Sequence, residues 1–300
     1  MRAPKSKLAH SATDLSHTRE AEMDILHPTD FSKAAEKARQ LALDLCTRLS
    51  AKLHVVHVQQ RFEEARELEF LRSSVEGINP ELLRRIEELH QAETQRLLAR
   101  LKQLAPADGN YDLLWGPPLQ ELLGLVGAYQ LVVMGAHGAN PLDNAFLGGI
   151  AGRLVRRSPI PVLTVREEAT SHVLGRILVA TDFGEASRRA WSFCRRLHEA
   201  GIKLVAAHVI DERRHHGDPA YTRQVDEGLE AFSNDLAERL VIREGNPVSL
   251  LPAIAEEVGA DAIAIGLHRH ATATGLLLGS RADALLRSSP VPILSVPLRR

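Results

Sequence analysis

Three observations predict an α/β fold of two tandem, doubly wound, parallel five-stranded sheets with helices on both faces. They are a length of 300 residues, a long internal repeat, and short apolar runs alternating with amphipathic stretches. The length exceeds the roughly 100–200 residues of one ordinary domain. Residues 131–165 recur at 262–296 with a constant offset of 131, so that Gly135 matches Gly266, Gly148 matches Gly279 and Pro159 matches Pro290. Nearer the start, Ile25-Leu26-His27-Pro28-Thr29-Asp30-Phe31 matches Ile177-Leu178-Val179-Ala180-Thr181-Asp182-Phe183 at an offset of 152, which leaves the second copy about 21 residues shorter. A unit of this size is a duplicated domain rather than a solenoid repeat of roughly 20–50 residues.

In the first copy the apolar run at Ile25 predicts strand one, and His57-Val58 closes strand two. The Glu/Arg/Leu-rich stretch from Arg61 to Leu104 then predicts a solvated pair of helices, with apolar inner faces carried by pairs such as Leu97/Leu101. Gly116 follows strand three, 131–135 is strand four, a helix opens at Gly148-Gly149, and Val162–Val165 is the last strand. In the second copy, 176–181 and 203–209 read as strands on either side of a helix over 185–200; helices follow at 219–240 and 247–258, a strand at 262–266, a helix at 280–287 and a strand at 292–296. Nearly continuous apolar strands separated by helices imply a parallel sheet covered on both faces, with right-handed crossovers. The expected organisation is a disordered tail over 1–22, a first domain over 23–167, a linker over 168–174 and a second domain over 175–300.

A net charge of −1 with 25% charged residues lacks the basic footprint of a nucleic-acid binder. Cys46 and Cys194 stand apart without metal-ligand spacing, and read as core residues. The fourteen histidines form no ligand set either: His54 and His57 face opposite sides of a strand, and His137 and His268 occupy matching loop positions. No run approaches the roughly 20 apolar residues of a spanning helix. A soluble cytoplasmic protein is expected, with no membrane and no nucleic-acid partner.

In such sheets a ligand binds at the carboxyl ends of the strands, where strand order reverses. That directs attention to Thr29, Asp30 and Val58, with Gly135 onward, and to Thr181, Asp182 and Val209, with Gly266 onward. After strand four, Gly135-Ala136-His137-Gly138 is followed by nine residues and then Gly148-Gly149. A glycine-rich loop running into a helix N-terminus presents backbone N–H groups to an anion. The bland alternative is that such glycines serve turns alone. For Asp30 and Asp182 the bland alternative is a helix N-cap or turn residue.

This spacing resembles the universal stress protein family, whose ATP-binding members carry Gly-x-x-Gly, nine residues, then Gly-Ser or Gly-Thr. Gly279-Ser280 in the second copy, Ser158-Pro159-Ile160-Pro161, Ser289-Pro290-Val291-Pro292 and the two Thr-Asp-Phe segments fit the same family. The resemblance implies a Rossmann-like fold of the adenine nucleotide alpha hydrolase type and a regulator of the bacterial stress response that binds ATP, with any Mg²⁺ brought by the nucleotide. It places Asp30 and Asp182 beside adenine and ribose, the Val58 and Val209 backbones at the adenine edge, and Gly135, Gly138, Gly148, Gly266 and Gly279 around the phosphates. Each copy departs once: Gly149 stands where the phosphate-binding hydroxyl belongs, and Arg269 stands where the second glycine belongs. Arg269 leaves two readings open, filling the pocket or reaching a phosphate. The first copy is expected to be the better binder.

No general base for phosphoryl transfer is evident, and the Gly-Lys-Ser/Thr ending of a P-loop is absent, so a non-enzyme is expected. An interaction scaffold without nucleotide is the first alternative, and a slow ATP hydrolase the second. Members of the family commonly pair through their last strands, which implies an intrachain pseudo-dimer with Val162–Val165 set against Ile293–Val296. Association of two whole chains is left open.

Overall fold

The computed structural model describes residues 23–60, 80–136, 149–210 and 239–298 except 273–274, with part of 219–228; the side chains of 269–278 are not described. The first copy runs β1 (Ile25–Pro28), α1 (Lys33–Leu49), β2 (Leu53–Gln59), α2 (Pro80–Leu104), β3 (Asn110–Trp115), α3 (Pro118–Leu125), β4 (Leu131–Gly135), α4 (Gly149–Arg157) and β5 (Val162–Val165). The second runs β6 (Arg176–Ala180), α5 (Glu185–His198), β7 (Lys203–Ile210), β8 (Arg239–Glu244), α6 (Pro247–Val258), β9 (Ala262–Leu267), a hairpin β10 (Arg269–Thr272) and β11 (Gly275–Leu278), α7 (Ser280–Ser288) and β12 (Ile293–Pro297).

Helix boundaries follow local chemistry. The Ser32 hydroxyl caps α1 by accepting from Ala35 N, and Asn246 caps α6 by accepting from Val248 N, with Pro247 in the first turn where its missing N–H costs nothing.

One ten-stranded sheet runs through both copies in the order β3-β2-β1-β4-β5-β12-β9-β6-β7-β8. Each half is a parallel sheet of the expected doubly wound kind, and its strand order reverses between β1 and β4, or between β6 and β9. The two last strands join the halves: β5 and β12 pair antiparallel, Thr164 opposite Ile293 and Val162 opposite Ser295. Strand alternation sorts the core into two layers. Ile25, Val133, Leu163 and Leu294 face α1 and α5, whereas Leu26, Val132, Val162 and Ile293 face α3, α4, α6 and α7. Both layers contain residues of both copies, so hydrophobic burial is shared across the junction.

The structure corrects two expectations, the end of the helix over 219–240 and the loop after β9. Of the helix expected over 219–240, Arg239 and Leu240 instead open β8, an edge strand whose Arg-Leu-Val-Ile-Arg-Glu sequence has an apolar run of only three residues and buries only Val241 fully. Of the pair of helices expected over 61–104, one is described, α2, with Leu101 fully buried; residues 61–79 lie outside the described residues. The loop after β9 folds as a hairpin in which Arg269 pairs with Leu278. An extended strand backbone accepts any L-residue, so Arg269 faces no demand for positive φ there.

Candidate functional site

Two cavities open at the carboxyl ends of the strands, one at each point of order reversal. The first, about 180 Å³, is lined by Thr29, Asp30, Val58, Gly135 and Gly149 together with Pro28, Ala35, Val56, His57, Pro118, Leu122, Met134, Ile150 and Ala151. The second, about 240 Å³, brings together Thr181, Asp182, Val209, Gly266 and Gly279 with Ser187, His268, Arg281 and an apolar wall from α6 and α7. Ser280, the first residue of α7, does not line it, and the Arg269 side chain is not described. Gly138, Gly148 and His137 lie outside the described residues.

The floor of each cavity is built by the same turn. Thr29 Oγ1 accepts from Phe31 N at 3.0 Å, and Thr181 Oγ1 from Phe183 N at 2.9 Å. The Thr29 carbonyl accepts from His57 Nδ1 and the Thr181 carbonyl from His208 Nδ1, both at 2.7 Å. The rings of each Phe–His pair then stack at a tilt, with centroids 4.6 and 4.8 Å apart. These contacts hold Phe31 and Phe183 in the left-handed region, at φ 64° and 59°, a conformation costing a bulky residue about 1–2 kcal/mol. The turn thereby starts α1 or α5 directly over the end of β1 or β6. The Arg100 guanidinium of α2 lies 4.1 Å above the Phe31 ring. In the second copy Gly228 leaves the space occupied by the Phe183 ring, which is 1% exposed.

Asp30 and Asp182 serve this turn as well as the cavity. Asp30 Oδ1 accepts from Ser32 N at 3.0 Å; Asp182 Oδ1 accepts from Gly184 N at 2.9 Å and from the Ser187 hydroxyl at 2.8 Å. Both are turn residues, while the N-cap positions are Ser32 and Gly184. Ser187 replaces Ala35 of the first copy, so the second carboxylate is fastened to α5 by a bond the first has no hydroxyl to make.

The glycines also have a packing role. A Cβ on Gly135 would lie 2.9 Å from Ala35 N, and one on Gly266 would lie 2.2 Å from the carbonyl carbon and oxygen of Ala186. Both glycines let a helix N-terminus approach the end of strand four closely, which is independent of any phosphate. At Gly149, which opens α4, a Cβ would meet only the tip of Arg153, 3.1 Å away.

Sequence reasoning missed His57 and His208 as builders of the floor, and His268 and Arg281 as lining residues. The signal for the first pair was present, since His57-Val58 and His208-Val209 repeat at the ends of β2 and β7. Nothing in the spacing marks Arg281. Burial pushes the Cys46 thiol up to about 12 and the Cys194 thiol up also, leaving neither thiol reactive. Among the described residues no helix is long and apolar enough to cross a membrane, and no three potential metal ligands converge.

The model described as "Universal stress protein family" matches residues 23–166 and 174–297. A universal stress protein of Synechocystis sp. is 23% identical over 292 residues, covering 91% of this chain and 99% of that one. Another, from Mycobacterium tuberculosis, is 22% identical over 206 residues, covering 61% and 67%. Among solved structures, a universal stress protein from Archaeoglobus fulgidus superposes with TM-score 0.66 at 21% identity, over 91% of this chain and 98% of that one. A Pseudomonas aeruginosa protein of the same description superposes at 0.58 and 19% identity, over 92% and 94%.

Proposed function

The chain belongs to the universal stress protein family, and from that premise we propose that it is a regulator of the bacterial stress response whose first half binds an adenine nucleotide such as ATP, while its second half binds one more weakly. The cavity between β1 and β4 carries this reading. Val56, Val58, Pro118, Leu122 and Ile150 offer apolar walls to a planar base, Asp30 stands at the rim as a hydrogen-bond acceptor, and α4 opens at the cavity, where Gly149, Ile150 and Ala151 of its first turn are lining residues and its dipole favours an anion. These described residues fit the nucleoside end and the start of an anion site. A bound nucleotide brings its own phosphates and Mg²⁺; the protein's residues bind and orient it.

The second half differs from the first in that Asp182 is fastened to Ser187, where the first has Ala35. Its own loop is a hairpin with Arg269 in a strand, and α7 is entered through Gly279 at φ −57°. The hairpin favours a second reading in which this half presents a surface rather than a ligand site; β11 lies against α4 of the first half. The antiparallel register of β5 and β12 supports viewing the chain as a covalent pseudo-two-fold dimer. A non-enzymatic role is part of the proposal, in keeping with Asp30 and His57, the titratable lining residues of the first cavity, being engaged by Ser32 N, Thr29 O and Gln59; a cytoplasmic location is part of it too.

Mass spectrometry of protein denatured after purification, with thermal melts in ATP, tests the reading. Nucleotide at a hundredfold excess over Kd adds about 2.7 kcal/mol of stability. The expected result is co-purified or added adenine nucleotide bound in the parent, lost in Asp30→Ala and retained in Asp182→Ala. An empty protein with no melting shift at millimolar ATP would overturn it.

A further inference from the structure

The pseudo-symmetry of the chain extends to the segments that lead into its two first strands. Arg176 N donates to Asp261 Oδ2 at 2.9 Å and Asp261 N to Arg176 O at 2.8 Å. At the matching positions, Asp24 N donates to Gln130 Oε1 at 2.7 Å and Gln130 N to Asp24 O at 3.0 Å. Upstream of Arg176, residues 166–174 lie across α1. Lys37 Nζ donates to Ala169 O at 2.6 Å, Leu174 N donates to Asp44 Oδ2 at 3.0 Å, and Ala169 and Leu174 are each 1% exposed. In the first half, then, a strap of chain closes the groove beside α1.

The same face of α5 carries Arg189, Ser192 and Arg196, which the 152-residue offset matches to Lys37, Gln40 and Asp44. Here those side chains line a cavity of about 290 Å³ that reaches from α5 and Pro297 at the end of β12 to Gln130 of the first half. Two arginines and no carboxylate line it. Arg189 donates from Nε to Pro297 O at 3.0 Å, and Arg196 forms no ion pair among the described residues. The position that holds an acid in the strapped groove, Asp44, holds a base in this one.

We propose that this groove is the docking site of the chain's own residues 13–22, lying across α5 as the strap of residues 166–174 lies across α1. Three observations carry the assignment. The offset relating β1 to β6 places 13–22 opposite 165–174. The bond from Asp24 to Gln130 holds Asp24 beside a lining residue of the cavity, and ten residues reach up to about 33 Å when extended. Charge is complementary as well: Asp14, Glu20 and Glu22 outnumber Arg19 in that segment, against Arg189 and Arg196 in the groove. Docking there would tie the second half's α5 to the first half's β1, on the opposite side of the junction from the strap.

Amide hydrogen exchange on the full chain tests this. The amides of 13–22 are expected to exchange at least about tenfold more slowly than an unstructured peptide at low salt, and to lose that protection in roughly 1 M salt, where the Debye length falls to about 3 Å. Arg189→Glu with Arg196→Glu should release the segment while β12 stays protected. Glu20→Arg with Glu22→Arg should release it without touching the folded body, and combining all four substitutions should restore protection. Unprotected amides in the parent, or protection that survives either pair of charge reversals, would overturn the assignment. So would protection of α5 by an added phosphate or a second chain with 13–22 still exchanging freely.

Discussion

Replacing His27 by Val should make the protein markedly more resistant to acid. His27 lies in β1 at 0% exposure, its Nδ1–H donates to Val133 O at 2.8 Å, and its Nε2 has no partner among the described residues. Burial brings its pKa down from 6.5 to about 4, with the nearby Arg39 charge adding to the shift and the Val133 carbonyl and the Glu36 and Asp30 carboxylates opposing it. The unfolded chain takes up the proton near 6.5 and the folded chain only near 4, so between those values the unfolded state binds more protons. Stability from this group is therefore complete above about pH 6.5 and drains as pH falls toward 4. The loss is about 2 kcal/mol at pH 5 and about 3 kcal/mol once both states are protonated. The matching residue of the second copy is Val179, also at 0% exposure, which shows that the β6 environment accepts the aliphatic side chain. At about pH 7.5, His27→Val gives up a hydrogen bond worth about 0.5–1.5 kcal/mol and removes an unsatisfied buried nitrogen of comparable cost, for a net change within about 1 kcal/mol. Urea midpoints at about pH 7.5 and pH 5 should then separate: the parent loses about 2 kcal/mol more than the variant between them. Parallel losses in the two proteins would refute the argument that burial keeps this imidazole neutral.

Gly266→Ala should destabilise by more than about 3 kcal/mol, because its Cβ meets the Ala186 backbone at 2.2 Å, whereas Gly135→Ala, at 2.9 Å from Ala35 N, should cost about 1–3 kcal/mol; thermal melts rank the two. Phe183→Ala should cost about 3–5 kcal/mol in chemical denaturation, and Phe31→Ala less, since Phe31 is only half-buried. Gly149→Ser fits sterically beside the movable Arg153 tip and adds a hydroxyl at the start of α4. One net hydrogen bond of about 0.5–1.5 kcal/mol should tighten adenine nucleotide binding by roughly two- to twelvefold in calorimetry.

The central strands were legible because they are buried on both faces. Ile25, Leu26, Val132 and Val162 are apolar at consecutive or matching positions for that reason, and the repeat supplied their pairing partners. The edge strands were less so: strand three of the first copy is placed ahead of Gly116, but the start of β8 reads as helix, because it spends Arg239, Arg243 and Glu244 on solvent around the short run Leu240-Val241-Ile242. The candidate site was legible in the same unequal way. Thr29, Asp30, Val58, Gly135 and Gly149 do converge, because they sit at strand ends whose order the topology fixes. The hairpin at 269–278 was hidden because its alternative, a glycine-rich loop, shares the flanking glycines, and only the strand pairing of Arg269 with Leu278 distinguishes the two.

Having two copies in one chain separates what builds the fold from what differentiates the sites. The Thr–Phe–His turn recurs with hydrogen bonds matching to within 0.1 Å and the same left-handed Phe, at a cost of about 1–2 kcal/mol in each copy. A strained turn present on both sides of a sequence that elsewhere exchanges Ala35 for Ser187, Gly149 for Ser280 and Asp44 for Arg196 is a requirement of the β1–α1 and β6–α5 connections, whichever site holds ligand. Specificity has to reside in the exchanged positions. Two of those exchanges change the rim and the anion end of a cavity, and the third changes the charge of a groove at the junction. The asymmetry of the chain is thus concentrated where a ligand or a segment would be held, while the scaffold beneath stays duplicated. Swapping Ala35 for Ser and Ser187 for Ala in one variant should therefore move nucleotide preference between the halves with little change in the urea midpoint; a large loss of stability with unchanged binding would place those residues in the scaffold instead.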